Sequence, residues 1–138
     1  WAIDLGKQKF KDLIIRFQDY SDKYLLEKGI KVSYQLSPTL PENKNLILST
    51  RHQLMMIFTE AIQNILKHAP ESIVSIKIDY KKNYLNLEIM NTFQERSFTT
   101  LSSGHGLDIM RKRAKRMTAN IEFKNDVHFF LVSITVKT

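Results

Sequence analysis

Three segments of the chain space their apolar residues as a helix does when one of its sides is buried. They predict helices over residues 7–28, from Ser49 or Thr50 to about His68, and from residue 104 to about residue 118. Ser49 or Thr50 can cap the second helix, because a side-chain oxygen at that position accepts a free backbone N–H. Gly29 typically follows a helix, and Pro70 cannot continue one. The pattern therefore predicts where each of the first two helices ends.

Apolar and polar residues alternate in five other segments, as they do in strands with one buried face. These segments are residues 30–36, 73–80, 84–90, 121–123 and 129–136. Residues 81–83 join two of them as a hairpin, and residues 92–103 show no period, so we expect a mobile loop there. Neighbouring strands interrupted by helices predict an α+β fold. We expect a two-layer α/β sandwich in which helices cover one face of a mixed sheet.

Composition excludes several classes of protein. The chain has 138 residues, which is the size of one domain, and it has no cysteine. Disulfide scaffolds, cysteine-based zinc sites and cysteine nucleophiles are therefore excluded. No apolar run approaches the ~20 residues of a membrane-spanning helix, and we expect no direct membrane contact. The chain begins with Trp1 and not with Met, so we interpret it as a piece of a longer protein.

The net charge of +7 raises the question of a nucleic-acid partner. Five basic residues are concentrated between Arg111 and Arg116. They indicate either the solvated face of a helix or a patch that faces phosphates or an acidic partner. No aromatic residues are interleaved with them and no zinc-finger spacing is present, so we predict no nucleic-acid partner.

The second predicted helix carries a polar face that combines three kinds of chemistry. Glu60, Asn64 and Lys67 lie within about 60° of one another at helical spacing, away from the apolar stripe. A carboxylate can orient or deprotonate a group, an amide oxygen suits Mg²⁺, and an ammonium neutralises phosphate. The alternative is a solvated face on which Glu60 and Asn64 pair locally. His68 has a similar alternative, in which backbone carbonyls at the helix end satisfy it.

Two other features suit a ligand. Gly104 and Gly106 stand at the start of the third helix, where backbone N–H groups can approach an anion closely, although a flexible hinge would also use two glycines. Asn91 ends an apolar strand, from which it can reach into a pocket or begin a turn.

In this order, the motifs resemble the ATP-binding catalytic domain of bacterial sensor histidine kinases, within the GHKL superfamily. The first motif reads Glu60-Ala61-x-x-Asn64-x-x-Lys67-His68-Ala69, and the second reads Gly104-His105-Gly106-Leu107-x-x-Met110-Arg111. The resemblance covers residues 30–138. Residues 1–29 look like the helical connection to the dimerisation and phospho-acceptor helices that precede this domain in such kinases.

The resemblance implies a role for each matching residue. Glu60 and Lys67 would be the catalytic residues, with Glu60 near the γ-phosphate, and Asn64 would hold Mg²⁺. His68, Asn91 and the run Gly104-His105-Gly106-Leu107 would bind ATP, and residues 92–103 would form a lid. The γ-phosphoryl group of ATP would pass to a histidine in a missing upstream segment, and the partners would be the upstream helices and a response-regulator receiver domain. The resemblance further implies a cytoplasmic setting, within a membrane-anchored sensor.

The chain departs from the family pattern in the box that normally contacts adenine. Asn91 stands at the position of an aspartate, and Phe93 and Glu95 stand where glycines belong. Thr118-Ala119-Asn120 replaces a pair of glycines after the last helix. None of the four histidines, His52, His68, His105 and His128, stands in an acceptor motif, so we expect no autophosphorylation by this chain alone. The alternative hypothesis is a degenerate kinase-like domain that acts as a protein-docking module.

Overall fold

The computed structural model describes residues 8–93 and 105–138, which form three α-helices and five strands. The helices are α1 (Phe10–Tyr24), α2 (Leu48–His68) and α3 (His105–Arg116), and a 3₁₀ turn covers Leu26–Lys28. The strands are β1 (Val32–Leu36), β2 (Ile73–Lys81), β3 (Tyr84–Thr92), β4 (Asn120–Asn125) and β5 (Phe129–Lys137). Each predicted element is therefore present, with ends that differ by a few residues.

The five strands form one mixed sheet in the order β1-β2-β3-β5-β4. β1 and β2 are parallel and are connected through α2, whereas the other pairs are antiparallel. β2 and β3 form the predicted hairpin. Lys82 and Asn83 make its two-residue turn with φ of 52° and 67°, the left-handed values that match the twist of paired strands.

One face of the sheet is buried under the helices, which confirms the two-layer sandwich. Inward residues alternate along the central strands, as in Val74, Ile76 and Ile78 of β2. The predicted stripe of α2 is buried throughout; its members are Ile57, Phe58, Ala61, Ile62 and Ile65. Phe17 of α1 stacks on Phe58 with ring centroids 4.3 Å apart, so α1 packs on the same core as the rest of the chain. The predicted domain boundary after residue 29 stays a prediction.

The predicted side-chain cap of α2 is wrong. The helix begins at Leu48, its N-cap is Ile47, and no side chain caps it. Backbone contacts hold the preceding segment instead, because Leu46 N–H donates to the Gln8 carbonyl and Lys9 pairs with Asn45. Local capping chemistry therefore did not decide where this helix starts.

The ends of the other two helices follow local rules. The first helix gives way to the 3₁₀ turn, and Gly29 ends it with a φ of 75° and an N–H that donates to the Leu26 carbonyl, as predicted. The third helix ends at Arg116, two residues before the predicted end. Thr118 then adopts a φ of 55°, the left-handed conformation that glycine favours at this position. Across the described residues, none of the helices has the length and apolarity to cross a membrane.

Candidate functional site

The polar face of α2 is distinct from its buried stripe, as the helical spacing predicted. Glu60 and Asn64 are one turn apart and half-buried, and Lys67 is exposed close to the end of the helix. Ala61 and Ile65 belong to the buried side of the same turns. Glu60 and Asn64 thus stand at the border between the core and the surface.

Gly106, in the first turn of α3, packs directly on this border. A Cβ atom on Gly106 would lie 2.7 Å from Glu60 Oε1 and 3.0 Å from Asn64 Oδ1. Real Cβ atoms do not approach other atoms as closely as the shorter of these distances. The two predicted motifs, more than forty residues apart in sequence, therefore meet in space, and only glycine fits between them without a shift of these side chains.

A small cavity lies beside Asn64, between α2 and the inner face of the sheet. It is lined by Ala61, Asn64, Ile65, Ile89, Asn91, Phe130 and Val132. Its volume of about 10 Å³ is the space of roughly one water molecule. The lining side chains are apolar except for the two asparagine amides.

Asn91 is the most deeply buried polar residue of this cavity. It is 2% exposed, on the inner face of β3, where it is paired in register with Val74 and Phe130. Its Nδ2 is buried and has no hydrogen-bond partner among the described residues. Such an atom costs free energy unless a water molecule or a ligand supplies an acceptor, so Asn91 is a candidate ligand contact.

The remaining predicted site residues lie around this centre. His68 ends α2 and is half-buried, with contacts of its own, and His105 is the exposed first residue of α3. Leu107 is 5% exposed and belongs to the core with Met110 and Ala114, so it does not line the cavity. Gly104 lies outside the described residues. The roles assigned to these residues by resemblance stay predictions.

The segment predicted as a lid over residues 92–103 lies largely outside the described residues. At its start, Thr92 is still part of β3, and Phe93 is buried, with an N–H that donates to the His128 carbonyl. Phe93 does not line the cavity. β-Pairing therefore continues through Thr92, beyond the last apolar residue of the sequence pattern, and the predicted lid from residue 94 onward stays a prediction.

The basic run on α3 takes part in ordinary surface packing. Arg111 pairs with Asp108 at 3.1 Å and lies over the Phe123 ring, 4.9 Å from its centroid. Arg113 donates to Gln53 of α2 at 3.1 Å. These contacts favour the interpretation of the run as a solvated helix face that also anchors α3.

Comparisons with known proteins add a structural likeness and no sequence match. No family model matches the chain, and no curated protein matches it. The catalytic domain of the histidine kinase ThkA superimposes with a TM-score of 0.72 at 12% identity, over 94% of this chain and 92% of that one. The histidine kinase domain of the blue-light activated kinase EL346 from Erythrobacter litoralis gives 0.72 at 15% identity, over 99% of this chain.

This chain has the fold of histidine kinase catalytic domains. The same fold is found in full-length ShkA, solved in complex with AMPPNP, with a TM-score of 0.70 and 14% identity. The chain spans 65% of the EL346 domain and 32% of ShkA. The fold class predicted from the sequence is confirmed, and so is the structural side of the resemblance.

Sequence reasoning missed the apolar walls of the cavity. Ile89, Phe130 and Val132 face inward by the alternation of their strands, but so do the other inward residues of β3 and β5. The strand pattern contains no signal that separates cavity walls from the closed core, because that depends on where α2 and α3 cross the sheet.

Proposed function

We propose that this chain is the ATP-binding catalytic domain of a sensor histidine kinase. It donates the γ-phosphoryl group of ATP to a histidine in a segment outside these 138 residues. The observation that supports this most strongly is the packing of Gly106 on Glu60 and Asn64, beside an apolar cavity lined by Asn91, whose Nδ2 has no partner among the described residues. Polar groups for phosphate chemistry and an apolar site for a base are therefore adjacent.

We infer that the adenine base enters at this cavity once its walls move apart, because the cavity itself holds only about 10 Å³. Ile89, Phe130 and Val132 supply apolar contact to a ring, and the Asn91 amide offers a hydrogen bond at its buried end. Asn64 lines the same cavity and also contacts the first turn of α3, so it stands between the base and the phosphates.

The start of α3 and the polar face of α2 suit the triphosphate. The first turn of α3, which contains Gly106, suits an anion because backbone N–H groups at the start of a helix point along its axis. Asn64 Oδ1 is the candidate ligand for Mg²⁺, which when bound neutralises charge on the phosphate oxygens. Lys67 and His68 supply further positive or donor groups to the phosphates, and the resemblance assigns Gly104 and His105 to phosphate contact as well.

Transfer of the γ-phosphoryl group depends on how the protein positions the two reactants, more than on covalent catalysis by the protein. The bond between the γ-phosphorus and the bridging oxygen breaks, a bond from the histidine nitrogen to phosphorus forms, and ADP leaves. Glu60 orients the acceptor imidazole and polarises it through its N–H. The expected partners are therefore the helices that carry this histidine and a response-regulator receiver domain that takes the phosphoryl group onward, in a cytoplasmic setting.

Calorimetric titration with ATP or AMPPNP, with and without Mg²⁺, tests the proposal. We expect binding in the micromolar to millimolar range that requires Mg²⁺. Absence of binding in both conditions would contradict it.

The variant Asn64→Ala tests the metal ligand. We expect it to keep the fold and to lose the Mg²⁺ dependence of ATP binding, because Asn64 is only half-buried. The neighbouring variant Gln63→Ala is the control, since Gln63 donates to the Tyr20 hydroxyl and not to the cavity. Unchanged Mg²⁺ dependence in Asn64→Ala would contradict the assignment of Asn64 as a Mg²⁺ ligand.

A second candidate function is a docking module without nucleotide. The volume of the cavity favours it, because about 10 Å³ is smaller than a purine ring and the walls must move to admit a base. The same titration separates the two functions, since a docking module binds neither nucleotide nor analogue.

A further inference from the structure

Asn91 lines the cavity and carries a buried hydrogen-bond donor. Asn91 is 2% exposed, and its Nδ2 has no acceptor within the part of the chain that the structure describes. Two other buried polar atoms share this condition, Arg51 Nε and Ser72 Oγ, but neither residue lines the cavity. Asn91 is thus the buried, unpaired donor at this site.

A ligand that pairs with this donor needs an acceptor on an otherwise apolar, flat body. Five of the seven residues that line the cavity are Ala61, Ile65, Ile89, Phe130 and Val132, which offer no side-chain polar atoms. A charged ligand group would lose its hydration there without compensation. Once its walls move apart to admit a ligand, the site therefore favours an uncharged ring that carries its polar atoms on one edge.

A carboxamide can pair with two opposite edges. It carries a donor and an acceptor side by side, and rotation by 180° exchanges them. A 6-aminopurine offers a donor at position 6 and an acceptor at N1, whereas a 6-oxopurine offers an acceptor at position 6 and a donor at N1. Asn91 complements both edges with two hydrogen bonds, and its unpaired Nδ2 fits the 6-oxo oxygen.

We propose that this site accepts 6-oxopurine nucleoside triphosphates as well as ATP, and that Asn91 determines this breadth. The proposal rests on the proposed function, since it concerns the base of the same nucleotide. A carboxylate at this position, as in the family pattern, only accepts hydrogen bonds and repels the 6-oxo oxygen. Asn91 in place of the carboxylate removes this discrimination against 6-oxopurines.

The test compares ATP with inosine triphosphate (ITP), which differs from ATP only at the edge formed by position 6 and N1. Titration of the whole chain in the presence of Mg²⁺ should give dissociation constants for the two within about threefold, because both edges find two partners. GTP is a third ligand and shows whether an added 2-amino group also fits.

The titrations distinguish failure of this proposal from failure of the proposed function. If ATP binds and ITP binds at least about tenfold more weakly, the site reads the 6-amino group and this proposal is overturned, while the proposed function stands. If neither nucleotide binds, the proposed function fails and this proposal fails with it.

The variant Asn91→Asp should restore discrimination. We expect the ratio of ITP to ATP dissociation constants to rise about tenfold or more, because the variant cannot donate to the oxo group. Asn86→Asp is the matched control: it makes the same change on the same strand, but on the opposite face of the sheet. That control should leave the ratio unchanged.

A second variant covers the case in which a buried carboxylate at residue 91 prevents folding. Asn91→Leu keeps the approximate volume and removes both donor and acceptor. Both nucleotides should then lose affinity by a similar factor. Unchanged affinities for both nucleotides would show that Asn91 does not contact the base, and would overturn the proposal.

Discussion

At the scale of single residues, the candidate site depends on Gly106, which has no side chain. Gly106 stands in a helix, where glycine is less favourable than alanine by about 1 kcal/mol. Its contacts explain why glycine is nonetheless present, because any Cβ would meet Glu60 and Asn64. The sequence predicted Gly106 as a phosphate-binding glycine, and the structure supplies a steric reason in addition.

The variant Gly106→Ala should change ligand binding more than stability. Glu60 Oε1 is the end of a flexible side chain and can move away, and the gain in helix propensity offsets the cost, so we expect unfolding free energy to change by less than about 1 kcal/mol. The displaced carboxylate and amide should weaken Mg²⁺-dependent ATP binding by about tenfold or more. Urea denaturation and calorimetry measure the two effects.

A double-mutant cycle provides the control for this variant. In a Glu60→Ala background the closest contact of the new methyl group is absent, so the same substitution should cost less affinity. Equal costs in both backgrounds would argue against the contact as the cause.

Tyr34 is a second residue of interest, because the fold changes the ionisation of its hydroxyl group. Its hydroxyl is hydrogen-bonded to Ser21 Oγ at 2.6 Å, and Ser21 Oγ lies 3.1 Å from the Gln18 carbonyl oxygen. Burial raises the pKa of Tyr34 well above its usual value, Asp22 and Asp19 act in the same direction, and the bond with Ser21 opposes them. The fold therefore favours neutral Tyr34.

The sign of this shift predicts a loss of stability in alkali. The pKa of Tyr34 is higher in the folded protein than in the unfolded chain, so neutral Tyr34 stabilises the fold. This stabilisation is fully present below the unfolded pKa of about 10, and it is lost as the pH rises from there through the folded pKa. Tyr34→Phe should cost about 1 kcal/mol at pH 7, through the lost hydrogen bond, and should show a shallower decline above pH 10. Urea denaturation between pH 7 and 11 measures both, and parallel profiles would contradict the assignment.

At the scale of elements, the end of α3 has the geometry of a glycine-terminated helix without the glycine. Thr118 N–H donates to the Lys115 carbonyl and Ala119 N–H to the Ala114 carbonyl, which is the Schellman pattern. Thr118 occupies its left-handed position at a φ of 55°. A β-branched residue is strained there, so the departure from the family's glycines costs stability and leaves the element intact.

The variant Thr118→Gly should therefore stabilise the protein. We expect the free energy of unfolding to rise by about 1 kcal/mol, because glycine adopts this conformation without a clash of its Cβ. Thr118→Ala keeps a Cβ and should gain less. Denaturation midpoints compare the three proteins, and a lower midpoint for the glycine variant would disprove the strain.

At the scale of the whole molecule, the candidate site exists only because four elements converge. α2 supplies Glu60 and Asn64, α3 supplies Gly106, and β3 and β5 supply Asn91 and Phe130. These elements are brought together by the sheet order, in which β3 lies between β2 and β5. A ligand that contacts all of them stabilises the folded chain as a unit.

Nucleotide should accordingly protect the whole fold from heat. With Mg²⁺ and ATP at a hundred times the dissociation constant, mass action predicts a gain of about 2.7 kcal/mol in unfolding free energy. Differential scanning calorimetry measures the shift in melting temperature. A melting temperature that ATP does not move would support the docking-module alternative.

The sequence by itself determined the elements and the faces of each element. Helical and strand periods are local properties, so the buried stripe of α2 and the polar face with Glu60, Asn64 and Lys67 could be read before any fold was known. The resemblance joined Gly104–Gly106 to that face, as a pattern shared with a family and not as a consequence of spacing.

Only the tertiary structure decided which faces meet and what each contact requires. It placed Gly106 within van der Waals reach of Glu60 and Asn64, and it started α2 at Leu48 without a side-chain cap. It also buried Asn91 Nδ2 without a hydrogen-bond partner among the described residues. These features depend on packing between segments far apart in the chain. No local period encodes such packing, because it results from how the helices lie across the sheet.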